Sequence, residues 1–156
     1  MNTPKKVAAW IAICVAFVAG FEGLRTTPYH DVGGVPTACF GETKNIKMGD
    51  RFTVEQCKQM LGDRIEKDFG PGVDHCIKHE LPPKRKAAYV SLAYNIGVGA
   101  FCASSTARLE NAGHPAEACN AMVRYDKIRV NGVLTYSRGL HNRRLEEIEL
   151  CLEGIE

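Results

Sequence analysis

Apolar and polar positions alternate along this chain with different periods, and the changes of period mark its elements. The first stretch is uncharged from Val7 to Phe21, preceded by Lys5 and Lys6. Its fifteen residues make a helix of roughly 22 Å against about 30 Å of bilayer hydrocarbon. It is rich in Ala and ends at Gly20, so its transfer energy into lipid is marginal. Positive charge ahead of it predicts a cytoplasmic N-terminus with the remainder outside. A cleaved signal peptide, a weak uncleaved anchor and a buried core helix all fit this pattern. Cleavage near Val18-Ala19-Gly20 would leave Glu22 on a frayed new terminus.

From Thr27 to Ile46 the pattern shortens. Gly33-Gly34 between short β-prone pieces predicts a small hairpin. Thr53 with Gln56 three residues on is a capping box, opening a helix through TVEQCKQMLGDRIEKDF that Phe69-Gly70-Pro71-Gly72 should end. After Pro82-Pro83, Tyr89, Leu92, Ala93 and Ile96 recur at helical spacing until Gly97 and Gly99 break it. Ser104 to Asn111 predicts a short helix closed by Gly113, and His114-Pro115 opens another through Arg124. Asn131-Gly132 is a turn. GLHNRRLEEIELCLEG is a final helix with charge on its outer face. The expected class is α+β, mostly α, with one small β piece near the N-terminus.

Composition narrows the functions. A length of 156 residues suits one compact domain. Lys and Arg total 20 against 18 Asp and Glu, a net charge of +2. That balance argues against a nucleic-acid partner and is compatible with an anionic polymer such as a cell wall. Zinc-finger spacing, a P-loop and a Rossmann fingerprint are all missing, so neither metal nor cofactor is expected. The five histidines show no ligand spacing and are expected at the surface. Seven cysteines, none in a Cys-x-x-Cys pair, fit either buried thiols in a cytosolic protein or an exported protein with two or three bridges. Seven is odd, so at least one thiol is unpaired or pairs between chains. Cys14, inside the apolar run, is either a small filler or a thiol for exchange.

The candidate chemistry lies in FEGLRTTPYHDVGGVPT. Glu22 is followed by eight residues, Asp31, five residues and Thr37. Glycosidic cleavage needs one carboxylic acid to protonate the leaving oxygen and a second to activate or place water, or to attack. Burial beside apolar side chains keeps such an acid protonated. Glu22 closes the apolar run, Asp31 sits in the adjoining Gly-rich hairpin, and the Thr37 hydroxyl can hold a water. Bare spacing of two carboxylates is also what two solvated side chains would show.

The joint pattern is more specific. FEGLRTTPYHDVGGVPTACFGET, TVEQCKQML, SLAYNIGVGAF, STARLEN and GLHNRRLEEIELC follow one another in the order of the phage-type lysozymes, the endolysins of glycoside hydrolase family 24, which this chain resembles from Phe21 to Cys151. The uncleaved N-terminal run is similar to their signal-arrest-release subgroup. The resemblance implies a two-lobed lysozyme-like fold, with a small N-terminal β-hairpin lobe, a connecting helix and a larger helical lobe. It divides the chain into residues 1–21, a weak anchor that becomes the first helix, and residues 22–156, the lysozyme domain. It implies inverting hydrolysis of the peptidoglycan bond between N-acetylmuramic acid and N-acetylglucosamine. Glu22 would be the general acid, Asp31 would place or activate the water, and Thr37 would help hold it. Asn95 aligns with a sugar-contacting position, or simply ends its helix. Arg143 aligns with an arginine that pairs with the catalytic glutamate, or makes a surface ion pair.

The implied partners are peptidoglycan and, through residues 7–21 before release, the host inner membrane; the protein would be a monomer that reaches the periplasm on release. Cys119 and Cys151 fall on helices of the same lobe and are a candidate pair. Two positions depart from the family: Glu42 stands where Gly-His-Thr is common, and Tyr125 where Trp is common. The alternatives are a membrane-tethered, non-catalytic wall-binding module and a lytic transglycosylase. The intact Glu22, Asp31 and Thr37 argue against the first, and the two water-handling residues against the second.

Overall fold

Trp10, Cys14 and Val18 recur every fourth position on α1 (Pro4–Phe21), and all three are buried. They form one stripe of a helix, and that stripe packs against α4 (Pro83–Ile96). The computed structural model describes the backbone of residues 4–155 and the side chains of residues 9–155. Lys5, Lys6 and Val7 therefore lie outside the described side chains, and residues 1–3 and 156 outside the described chain. Of the three readings of the apolar run, this structure displays the core helix. Among the described residues, no helix is long and apolar enough to cross a membrane.

α4 is the central rod. Its residues from Ala87 to Ala93 are buried on every side, as expected of a helix with neighbours all round. α8 (Arg138–Glu153) packs on it as well. Lys86, buried near the start of α4, carries its ammonium 4.5 Å over the Trp10 ring and pairs with Asp74 at 2.8 Å. The positive charge is thus held between an aromatic face and a carboxylate, fixing α1 to α4.

The hairpin follows α1 directly. β1 (Arg25–His30) and β2 (Pro36–Cys39) are antiparallel, with Tyr29 opposite Thr37 and an irregularity before Arg25 meets Cys39. Gly34 makes the turn at φ +79°, a conformation open to glycine. The hairpin is tied to α2 (Val54–Arg64) by the Cys39–Cys57 disulfide. α2 begins as expected: Thr53 Oγ1 accepts from the Gln56 N–H at 3.0 Å, and the Gln56 side chain accepts from the Thr53 N–H at 2.8 Å.

Phe69-Gly70-Pro71-Gly72 does not end this helix. The chain widens into a π-turn at Ile65–Phe69 and runs on as α3 (Gly70–Cys76). Pro71 lies in the first turn of α3, where its missing N–H is tolerated and its φ suits a helix. Gly70 serves close packing: a Cβ there would stand 2.5 Å from Trp10 Cη2 and 2.9 Å from the Ile65 carbonyl.

α5 (Val98–Cys102), α6 (Ser105–Asn111) and α7 (Pro115–Ala121) complete the helical lobe, followed by a 3₁₀ turn at Met122–Arg124. Ser104 caps α6, its hydroxyl accepting from the Ala107 N–H at 3.1 Å. A second hairpin then corrects the expectation of a single β piece. β3 (Lys127–Val130) and β4 (Val133–Tyr136) pair across Asn131-Gly132, both at positive φ. All eight strand residues are exposed, so no core-facing alternation marked them in the sequence.

Six cysteines pair, as Cys39–Cys57, Cys76–Cys102 and Cys119–Cys151; Cys14 is free and fully buried. The three-bridge reading and the Cys119–Cys151 pair are thus the arrangement seen. In this state Cys14 is a core filler, since thiol exchange requires access to the sulfur. His30, His75, His79 and His114 are exposed; His141 is half-buried against Asp126 at 3.1 Å.

Candidate active site

Glu22 is the residue at which α1 stops. Its N–H still donates to the Val18 carbonyl at 3.0 Å, so the helix fixes its backbone. Its side chain, about a quarter exposed (26%), is held from the other direction by α8: Arg143 Nη1 donates to Glu22 Oε1 at 2.9 Å. Oε2 makes no hydrogen bond among the described residues.

Arg143 is not a surface residue. It is buried, its guanidinium 5.1 Å over the Phe21 ring. Its Nε donates to Glu147 Oε2 at 3.3 Å and its Nη2 to the Ser91 carbonyl at 3.3 Å. Glu147 is fully buried, accepts from Ser91 Oγ at 2.6 Å, and pairs with Arg144 Nε at 2.6 Å. Arg144, also fully buried, donates onward to the Tyr125 carbonyl at 3.2 Å. Burial pushes the Glu147 carboxyl up, and Arg144, Ser91 and Arg143 oppose it. The final helix therefore does not keep all its charge outward; it carries a buried ionic chain that ends on Glu22.

Glu22 and Asn95 line one cavity of about 310 Å³, with Phe40, Gly41, Glu42, Arg64, Phe69 and Tyr94 as its other walls. Asn95 comes from the last turn of α4, before Gly97 ends the helix at φ +93°. Tyr94 Oη donates to the Phe40 carbonyl, joining α4 to the hairpin lobe. Burial, then the charges of Glu22 and Glu42, pushes the Tyr94 phenol well above its ordinary range, so it remains a donor.

Asp31 and Thr37 are brought together separately, in the hairpin, through Val35. Asp31 Oδ1 accepts from the Val35 N–H at 2.8 Å, while Thr37 Oγ1 donates to the Val35 carbonyl at 2.9 Å. Thr37 is buried and Asp31 half-buried. Neither lines the cavity beside Glu22, and no hydrogen bond joins either to Glu22 among the described residues. Asp31 Oδ2 is likewise without a hydrogen bond among those residues, leaving that oxygen open to an incoming group.

Arg64, Phe69 and Tyr94, like Phe40 and Gly41, line the cavity without having been candidates in the sequence. Arg64 reaches it from the end of α2, and Phe69 through the π-turn, for which the sequence carries no signal. Glu42 was visible only as a departure from the family pattern. Its Oε1 accepts from the N–H groups of Thr43 and Lys44 at 3.1 and 2.9 Å, and its Oε2 pairs with Arg64 Nε at 3.2 Å. Tyr125, the other departure, has a hydroxyl that accepts from the Ser105 N–H at 3.0 Å.

The sequence model of the Phage lysozyme family matches residues 19–147. The chain is 41% identical over 154 residues to a SAR-endolysin of Pseudomonas phage phiKMV, covering 98% of this chain and 94% of the relative. It is 34% identical over 141 residues to a SAR-endolysin of Enterobacteria phage P21, covering 86% and 79%. The solved endolysin from Escherichia coli O157:H7 phage FAHEc1 superposes with a TM-score of 0.82 at 33% identity, over 99% of this chain and 96% of that one.

Arg144→Ala leaves Glu147 buried with one cation fewer, as Arg144 and Glu147 are both fully buried. The expected outcome in urea unfolding is a loss of about 3–5 kcal/mol, the usual cost of stripping one partner from a buried ion pair. A loss below about 1 kcal/mol, the size typical of surface pairs, would contradict the buried network.

Proposed function

The chain belongs to the phage lysozyme family, and on that premise we propose that it is a muramidase that hydrolyses peptidoglycan between N-acetylmuramic acid and N-acetylglucosamine, with Glu22 as its acid. The observation that carries this reading is a partly exposed carboxyl, fixed by helix end and buried arginine, facing a cavity. Glu22 Oε1 is engaged by Arg143, and Oε2 remains to deliver a proton to the glycosidic oxygen. The C–O bond breaks as that oxygen takes the proton. A water on the opposite face of the sugar gives up its proton to Asp31 and adds to the anomeric carbon. Thr37, held by the same residue as Asp31, Val35, steadies that water. Asn95 contacts sugar from the end of α4. Arg143 acts through Glu22, as a positioning residue.

The site depends on α1 being folded against α4, and this supports a proposal about location. Relatives named SAR-endolysin share nearly the whole chain. The stripe Trp10, Cys14 and Val18 cannot face lipid and α4 at once. We propose that residues 7–21 tether the protein in the host inner membrane, N-terminus inward, and that release into the periplasm lets them fold as α1 and bring Glu22 to Arg143. Assayed in intact inner membranes, muralytic activity should rise when the membrane potential is collapsed. Equal activity before and after would refute activation by refolding.

For the chemistry, Glu22→Gln should lower turnover on permeabilised Gram-negative cells by about 10²–10⁴-fold, the range of a general acid. Wild-type products should carry hydrated reducing ends. Anhydro-sugar ends would identify a transglycosylase instead, and binding without turnover in both proteins would identify a wall-binding module.

A further inference from the structure

We propose that Arg64 is a substrate-binding residue of this cleft, and that it reads a neutral carbonyl acceptor, the acetamido oxygen of a 2-acetamido sugar. It rests on the muramidase reading and extends it to a side chain that no motif of residue types marks.

Arg64 closes α2 where the chain opens into the π-turn, so the helix sets its direction and the turn sets that of Phe69. Its guanidinium is held on two sides. Nε pairs with Glu42 Oε2 at 3.2 Å, Nη1 donates to Asp68, and the Phe69 ring lies 5.9 Å from its carbon. Glu42 is itself fixed by two backbone N–H groups. A long, flexible side chain is thereby ordered before any ligand arrives, which lowers the entropy lost on binding. Its Nη2 makes no hydrogen bond among the described residues. The side chain is one-third exposed (33%) and lines the cavity that holds Glu22.

The charges decide what it would bind. Lys44, Arg64 and Lys67 are matched by Glu42, Asp63 and Asp68 around the adjoining cavity, two of these carboxylates pair with Arg64 directly, and Glu22 is already matched by Arg143. An anionic ligand group would gain little from an arginine whose charge two carboxylates already match. A cation would meet a guanidinium that can only donate. A neutral acceptor meets neither penalty. Among the groups of a wall glycan, the amide oxygen of an N-acetyl substituent is the strong neutral acceptor, and sugar hydroxyls are weaker ones. Cavities of this size admit a few convergent polar contacts, and Arg64 supplies one in the cavity that Glu22 lines.

The test uses the full chain turning over stem-free peptidoglycan strands, with two soluble inhibitors. One is the β-1,4 tetramer of N-acetylglucosamine; the other is the β-1,4 tetramer of glucose, equally neutral but without the acetamido group. The wild type should be inhibited about tenfold better by the acetylated tetramer, and Arg64→Gln should lose that preference while its KM rises about tenfold, the worth of one charged hydrogen bond. Its kcat should stay within about threefold, since Arg64 acts on binding. Arg64→Lys, which keeps the charge but not the fork, should lose most of the preference too. A variant that keeps the full preference, or one that weakens both inhibitors equally, overturns the assignment. A wild type without turnover overturns the muramidase reading beneath it, whereas turnover without discrimination overturns Arg64 alone.

Discussion

The ion pair between Glu22 and Arg143 joins the end of the first helix to the middle of the last, and the geometry of the cleft depends on it. It is reached from both directions by burial. Trp10 and Val18 remove apolar surface from water, each on the order of 1.5–3 kcal/mol. That packing sets the azimuth at which α1 delivers Glu22. From α8, Arg143 is held by Glu147, Ser91 and the Phe21 ring, so its free end has little choice of direction. A surface arginine would gain little from the same contact. Here the cation is already desolvated and paired, and Glu22 completes its coordination at the rim of the cavity.

The same packing explains why an apolar N-terminal run and a carboxyl are adjacent in sequence. In lipid, the helix has no use for a face of every fourth residue. In the folded protein that face carries a tryptophan, a thiol and a valine against α4, and the ammonium of Lys86 covers the Trp10 ring. One segment thereby supplies both a core face and, at its end, the carboxyl that meets Arg143. The hairpin lobe is fixed independently, by the Cys39–Cys57 bridge, by Tyr94 to the Phe40 carbonyl and by Glu42 to Arg64. Its residues Asp31 and Thr37 share Val35, so they are placed relative to each other by the five residues of local chain between them.

Much of this was legible in the sequence because it is local. The Thr53–Gln56 capping box, the Gly97 stop and the Gly33-Gly34 turn are set by residues within a few positions. The burial of Arg143, Arg144 and Glu147 was not legible. A helix with RR and EE reads as solvated, and only the meeting of α8 with α4 supplies Ser91 and the desolvated surroundings that draw those charges inward. Gly70-Pro71 read as a stop because both residues break helices on average. The structure uses glycine for the approach of Trp10 and places proline where no N–H is needed. The second hairpin had its Asn-Gly turn in plain view, but strands exposed on both faces carry no periodicity. Phe69 enters the cleft beside Arg64 through a π-turn, a one-residue change of helical phase that no pattern of residue types announces.

Native-state hydrogen exchange on the soluble protein tests the central claim most directly. If α1 is an integral wall of the active domain, the amides from Cys14 to Glu22, including the Glu22 N–H bonded to Val18, should exchange only through the same global opening that exposes the α4 amides. Fast exchange along α1 beside a protected α4, in protein that is fully active, would show that Glu22 works without the packed helix and would contradict the account.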